Sequence, residues 1–361
     1  MLYDSNVQNQ INQIREKCER IKPLVMINCI TYNHEKYLRD ALEGFVMQRA
    51  DFPFVAIVHE DASTDGTAAI LGQYAEKYPD IILPIYEIEN QYSKRNGVLR
   101  QIMQAACQAA GAKYIAYCEG DDYWTDPLKL QKQVNYLECN PNCSLICANY
   151  DKYYEETNSN GVFEPLRKQY IQRFNDLIIY DFIATLTAVV RSEILNDYNE
   201  FLKDAPIWSF GDYPRWLFAA TCGYVYVLTD NVATYRVLKQ SASHGLDSKM
   251  LVKWAYSEFS VFDYFNDRFN LSKRTRKDAL FFKCNAFAKI AIQAGESNLI
   301  KRISNFYKEN KFYISWILFH VMSKFPKMTP LVKLIDERLY LKAPIYYLKS
   351  KYRTRDRSDL N

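Results

Sequence analysis

A chain of 361 residues with 48% hydrophobic and 24% charged side chains suits one large domain with a substantial extension, and it excludes an intrinsically disordered protein. Its net charge of +4 is unevenly placed: residues 301–361 carry 14 Lys or Arg against 5 Asp or Glu, a balance of +9 that leaves −5 for residues 1–300. No apolar run approaches the ~20 residues that cross a bilayer, and the amphipathic start lacks the apolar core of a secretory leader.

Residues 1–22 read as an N-terminal helix. Residues 24–30 then read as a strand, 35–48 as a helix, 54–59 as a second strand, 67–77 as a helix and 81–86 as a third strand. Val98, Leu99, Ile102, Met103, Ala106 and Ala109 recur at helical spacing, and Gly111 suits the position that ends such a helix. Residues 114–118 form an apolar fourth strand. Asp126 and Pro127 then suit the cap and first turn of a helix running to about Glu138. Strands alternating with helices at this spacing predict a mainly parallel sheet with helices on both faces. From Val252 onward the apolar pattern is helical, so the expected divisions are 1–22, 23–248 and a helical, basic 249–361.

The nine cysteines are scattered without a CxxC pair, which favours reduced thiols in a cytoplasmic protein over a zinc site or a disulfide framework.

The fourth strand stops at Glu119, Asp121 and Asp122, with Gly120 between them. Carboxylates crowded at a strand end repel one another and lose hydration, and a hard divalent cation supplies the missing positive charge. A solvated acidic turn is the plain alternative. A parallel sheet binds ligands at the carboxyl ends of its strands, and other polar clusters fall there too: Thr31, Tyr32 and Asn33 after the first strand, Glu60 and Asp61 after the second. Each has an ordinary reading as well. Asn33 suits a helix cap, and Ser63, Thr64 and Asp65 make a good helix start, which leaves the Glu60–Asp61 pair unexplained.

The segment YIAYCEGDDYWTDP, residues 114–127, resembles the aspartate-rich motif of the inverting glycosyltransferases of family 2, with the nucleotide-sugar-binding GT-A fold, as found in bacterial members that build surface polysaccharides. The resemblance runs over roughly residues 24–245 and includes several further motifs in the family's order. It implies a nucleobase pocket at Thr31, Tyr32, Asn33, Asp61 and Asn90, with Asp61 accepting the imide N–H of uracil. Lys94 lies where a cation could meet the diphosphate, with a solvated loop the equal reading. The resemblance implies Mn²⁺ or Mg²⁺ at Asp121 and Asp122, with His244 either completing the metal site or touching the phosphates. Glu119 stands where many relatives have Asp, which leaves its direct part in metal binding open. Asp212, in FGDYP, takes the place of the general base, where the family often has an acid pair and this chain has Gly211 before it; the same Asp also reads as a helix cap. Thr185, Thr187 and Arg191 resemble a strand lining the acceptor side, with a core strand the equal reading, and Arg236 is placed near the acceptor or bracing the site loop. His34, His59 and His320 read as structural.

The implied activity is transfer of a sugar from a nucleotide-diphosphate donor, of UDP type, to a saccharide or lipid-linked acceptor in surface polysaccharide synthesis. A nucleotidyltransferase is the alternative, lacking here the Gly-rich basic loop it normally shows; a non-catalytic scaffold of the same fold is another. The basic C-terminal stretch suits either an anionic membrane surface or a solvated helical face, and no motif for nucleic acid accompanies it.

Overall fold

The computed structural model describes residues 3–161, 170–239 and 247–324. The chain divides into two compact units, the first of residues 1–177, 182–205 and 212–244, the second of residues 178–181, 206–211 and 245–361. His244 and the basic stretch 325–361 lie outside the described residues.

The first unit opens with α1 (Ser5–Ile21), which buries Val7, Ile11, Ile14 and Cys18, the apolar stripe of its helical repeat. Three strand–helix steps and a fourth strand follow: β1 (Val25–Thr31) and α2 (Leu38–Val46), β2 (Phe54–Glu60) and α3 (Thr67–Lys77), β3 (Ile82–Tyr86) with the short α4 (Gln91–Lys94) and α5 (Val98–Ala110), then β4 (Tyr114–Tyr117). Gly111 ends α5 with φ +62°, the left-handed conformation that glycine adopts without strain. These strands pair in parallel in the order β3-β2-β1-β4. All four are rich in β-branched or aromatic residues, and most of their side chains are buried, as covering on both faces requires. Gln10 of α1 guards the free edge: its side-chain amide donates to the Tyr86 carbonyl at 2.9 Å and accepts from the Tyr86 N–H at 2.8 Å.

Beyond β4 come β5 (Tyr123–Trp124), α6 (Lys129–Cys139), β6 (Cys143–Tyr154), β7 (Ser159–Gly161), β8 (Tyr170–Gln172), α7 (Phe174–Leu177), β9 (Val189–Arg191), α8 (Ser192–Phe201), α9 (Asp212–Cys222) and β10 (Tyr224–Val237). Here the sheet becomes mixed. Strand β9 is antiparallel to both β4 and β6, β10 runs parallel to β6, and β5 closes antiparallel on β10. The cap expected at Asp126 sits earlier than the helix it was meant to start. Its side chain accepts from the Leu128 N–H, forming a turn, and α6 begins only at Lys129.

The second unit contains α10 (Ser248–Phe269), α11 (Lys273–Ala294), α12 (Ser297–Glu309) and α13 (Tyr313–Lys324), around a core of its own that includes Phe259, Cys284, Leu299, Ile303 and Phe306. Asp247 and Ser272 cap α10 and α11 by accepting from the Met250 and Thr275 N–H groups. Among the described residues no helix is long and apolar enough to cross a membrane.

Candidate active site

Backbone pairing runs past the strand ends and so fixes the polar residues along one sheet edge. The Asp61 N–H donates to the Thr31 carbonyl at 3.0 Å, Gly120 N–H to the Ile30 carbonyl at 3.0 Å, and Glu87 N–H to the Glu60 carbonyl at 2.9 Å. The first two loops are then laced together: Asn33 N–H donates to Ser63 Oγ, His34 N–H to Thr67 Oγ1, Glu35 N–H to Asp65, and Asn33 Oδ1 accepts from Thr64 N–H. Asn33 holds φ +53°, and Tyr32 beside it is 40% exposed.

At the end of β4, ligand oxygens of Glu119, Asp121 and Asp122 lie within 4.8 Å of one another. Asp122 is buried, and its carboxyl is pushed well above the ordinary range by lost hydration and by repulsion from Asp121 and Glu119, against the pull of Arg236. Glu119 reaches solvent, but protein walls it in enough that lost hydration, with Asp121 and Asp212 adding and Arg215 opposing, pushes its carboxyl up to about 8. Gly120 is required between them, because a Cβ there would lie 2.6 Å from Thr31 Oγ1 and 2.9 Å from His34 Nδ1. Those two polar atoms are buried and have no protein partner. A hard divalent cation fits this donor set: three convergent carboxylates short of positive charge, all of them oxygen donors.

Arg236 braces this loop. Its backbone N–H donates to Asp122 Oδ1 at 2.7 Å, its guanidinium donates to the Asp121 carbonyl and to Asp40, and it lies over the Tyr37 and Tyr123 rings. Of its two expected placements, these contacts suit the bracing one. Thr187, expected on the acceptor side with a core strand as the equal reading, lies in the interior. It is fully buried, its hydroxyl donates to the Ala184 carbonyl, and Arg191 nearby is spent on the carbonyls of Cys143, Leu137 and Asn140. Thr185 is the residue of that segment that meets the site, with its hydroxyl 3.4 Å from Asp212 Oδ2.

Asp212 opens α9, and its other oxygen accepts from the Tyr213 N–H. Asp61 is fully buried, and its two oxygens accept from the Gln91 N–H at 2.7 Å and the Tyr92 N–H at 3.0 Å. Asn90 donates to the Asp61 carbonyl and caps α4 by accepting from Ser93 N–H, while Lys94 pairs with Glu89 at the surface.

Two site residues escaped the sequence reading. His34, taken as structural, has Nε2 4.0 Å from Asp121 Oδ2; its position three residues past Thr31 was the available signal. Burial lowers its pKa, with Asp121 and Asp65 pulling it up. Arg215 lies one helical turn after Asp212, over the Tyr117 ring at 5.0 Å, and its charge opposes the upward push on Glu119. Its three-residue spacing from Asp212 on a helix was legible.

Compared with known proteins, residues 27–198 match the family described as Glycosyl transferase family 2. The uncharacterized protein Mb1547 of Mycobacterium bovis is 36% identical over 208 residues, 57% of each chain, so the chain spans a little over half the length of that relative. The putative teichuronic acid biosynthesis glycosyltransferase TuaG of Bacillus subtilis is 25% identical over 67% of this chain and 88% of its own. Among solved structures, S. aureus TarS 1–349 in complex with UDP-GlcNAc aligns with a TM-score of 0.51 over 83% of this chain and 91% of that one; at 16% identity the likeness speaks for the GT-A fold.

Proposed function

We propose, from the match of residues 27–198 to glycosyl transferase family 2, that this chain moves a sugar from a nucleotide-diphosphate donor, of UDP type, to a saccharide or lipid-linked saccharide acceptor in surface polysaccharide synthesis, with inversion at the anomeric carbon. The observation that carries this reading is the convergence of Glu119, Asp121 and Asp122 at the end of β4, on the edge that also holds Asp61.

Tyr32 stacks on the base, and Asp61 and Asn90 meet its edge. Asp61 spends one lone pair of each oxygen on backbone amides, and a carboxylate has further acceptor sites for an imide N–H. Glu119, Asp121 and Asp122 would hold Mg²⁺ or Mn²⁺, which when bound offsets charge on the departing diphosphate. Asp212 accepts the proton of the acceptor hydroxyl as that oxygen forms its bond to the anomeric carbon. The bond from that carbon to the donor's phosphate oxygen breaks, and its electron pair leaves with the nucleoside diphosphate. Arg236 keeps the acidic loop in place through the Asp122 hydrogen bond.

Screening the purified protein against UDP-, GDP-, CDP- and dTDP-sugars, with and without Mn²⁺, tests the reading. Divalent-dependent hydrolysis or transfer from a UDP-sugar is expected, and full activity in chelator removes the metal role. Release of pyrophosphate from a sugar phosphate and a nucleoside triphosphate would instead favour a nucleotidyltransferase. The same reading places the basic stretch 301–361 on anionic membrane, supported by its +9 balance. Salt-sensitive binding to anionic over neutral vesicles, lost on removing that stretch, is the outcome it requires.

A further inference from the structure

A chain of polar groups, buried at His59 and Glu87, runs behind the Asp61 corner and plays no part in the chemistry above. His59, at the end of β2, and Glu87, just past β3, are both buried, with His59 Nε2 3.2 Å from Glu87 Oε1. The other Glu87 oxygen accepts from the Gln91 side-chain amide at 3.2 Å, and that amide also donates to the Glu89 carbonyl at 3.1 Å. The Gln91 backbone N–H reaches Asp61 Oδ1, and the next N–H, of Tyr92, reaches Asp61 Oδ2. His59 Nδ1 is buried without a partner, which favours the tautomer whose proton sits on Nε2 and is donated to Glu87, because an orphaned N–H is rarer than an orphaned acceptor.

Burying a histidine–carboxylate pair costs hydration and contributes little net stability compared with an apolar pair of the same size. What such a pair supplies is direction: here each bond points from a strand end toward the segment 90–95. Beyond these bonds the segment is held by the Asn90 amide on the Asp61 carbonyl and by the exposed Lys94–Glu89 pair. None of the α4 residues is buried, and it ends at Arg95 and Gly97 with φ +48° and +82°. It carries Tyr92, which is 50% exposed and whose phenol is pushed up by lost hydration, with Arg95 opposing and Glu119 and Asp212 adding.

We propose that His59, Glu87 and Gln91 form a latch of positioning residues, buried at its His59–Glu87 end, that holds segment 90–95, and with it Tyr92 and the Asp61 corner, in the conformation that receives the donor nucleotide. The inference rests on the nucleotide-donor reading and adds to it the residues that set donor affinity from behind the pocket. No latch residue touches the reacting atoms, so its loss falls on donor binding and spares turnover.

The test uses the full chain, with UDP as the calorimetric probe and donor kinetics alongside. Gln91→Met keeps side-chain length but removes both amide bonds. Loss of a hydrogen bond to a charged group should raise the Kd for UDP and the donor KM about tenfold or more. The kcat at saturating donor should stay within about twofold and Tm near the parent's, the signature of lost ground-state binding. Glu87→Gln still accepts from His59 and still exchanges one bond with Gln91, so it should stay within about threefold of the parent. UDP affinity of Gln91→Met equal to the parent's overturns the latch. So does a joint fall of affinity, kcat and Tm that Glu87→Gln shares, since that marks a purely structural role. A parent that binds none of UDP, GDP or CDP fails at the donor reading itself and takes the latch down with it, whereas a parent that binds UDP while Gln91→Met binds equally well leaves that reading standing.

Discussion

Strands β2 and β4 flank β1 and end in acids at the same sheet edge, yet their carboxylates stand in opposite surroundings. Asp61, though fully buried, has a backbone N–H on each oxygen, and Glu60 beside it accepts from the Ser63 N–H at 2.8 Å. At β4, Asp122 has one backbone N–H, from Arg236, and the carboxyls of Glu119 and Asp122 are raised by lost hydration and mutual repulsion. The supply of N–H groups separates the two. A carboxylate given donors by the fold is an anchor, and a cluster left short of them is a place for a cation.

The largest effect should come from taking carboxylates out of the deficient cluster. Asp121→Ala and Asp122→Ala are expected to reduce transfer below detection and to remove Mn²⁺-dependent nucleotide binding. Without cation, Tm of Asp121→Ala should hold or rise, because repulsion is relieved, whereas Asp122→Ala also leaves the buried Arg236 N–H without its acceptor. A marked fall in Tm for Asp121→Ala would make that acid an anchor like Asp61 and erase the contrast.

Asp212 extends the comparison to a third acid. Asp212→Asn keeps size and capping ability but cannot take a proton, so kcat should fall roughly 10²–10⁴-fold with donor binding near the parent's. Asn and Asp cap helices about equally, so near-normal turnover would leave Asp212 a cap.

At the satisfied end, Asp61→Ala should weaken UDP binding by about 1.5–3 kcal/mol, as expected for a lost hydrogen bond to a charged group. The form of the loss discriminates: a uracil contact narrows the preference for UDP over CDP and GDP, whereas a loosened 90–95 segment weakens all three alike.

The smallest effect is a pH slope. The Glu119 carboxyl is held near 8 against an unfolded value near 4.5, so the folded state binds its proton more tightly. Stability from this group is therefore full below about 4.5 and is lost as pH rises through about 8. A bound cation competes with that proton, so stabilisation by Mn²⁺ should grow across the same window. Thermal melts with and without Mn²⁺ from pH 5 to 9 measure this, and Glu119→Gln should flatten the slope. An unchanged slope in that variant would place the titration on another group.

The alternation of apolar runs and helical repeats predicted β1 to β4 to within a residue or two of their observed bounds, because each is buried by local pattern alone. The mixed half of the sheet was not legible that way. Val189–Arg191 is three residues long and finds its place only by pairing with β4 and β6, which are distant in sequence. Thr187 shows the same limit: a polar residue in an apolar run gives no sign of which way it faces, and the fold turns its hydroxyl onto the Ala184 carbonyl.

What the sequence determined by itself was which polar clusters the chain carries and where: acids and glycine at the end of an apolar run, a second acid pair, and an acid ahead of a helix. These are legible because strand ends and helix starts are local features, and like charges a residue apart repel whatever surrounds them. Tertiary structure decided which acids are satisfied and which are not. The Gln91 and Tyr92 amides that anchor Asp61 come from about thirty residues away, and the Arg236 amide on Asp122 from more than a hundred. A hydrogen-bond donor supplied across that distance exists only once the chain has folded, so no pattern in the residues around Asp61 or Asp122 contains it.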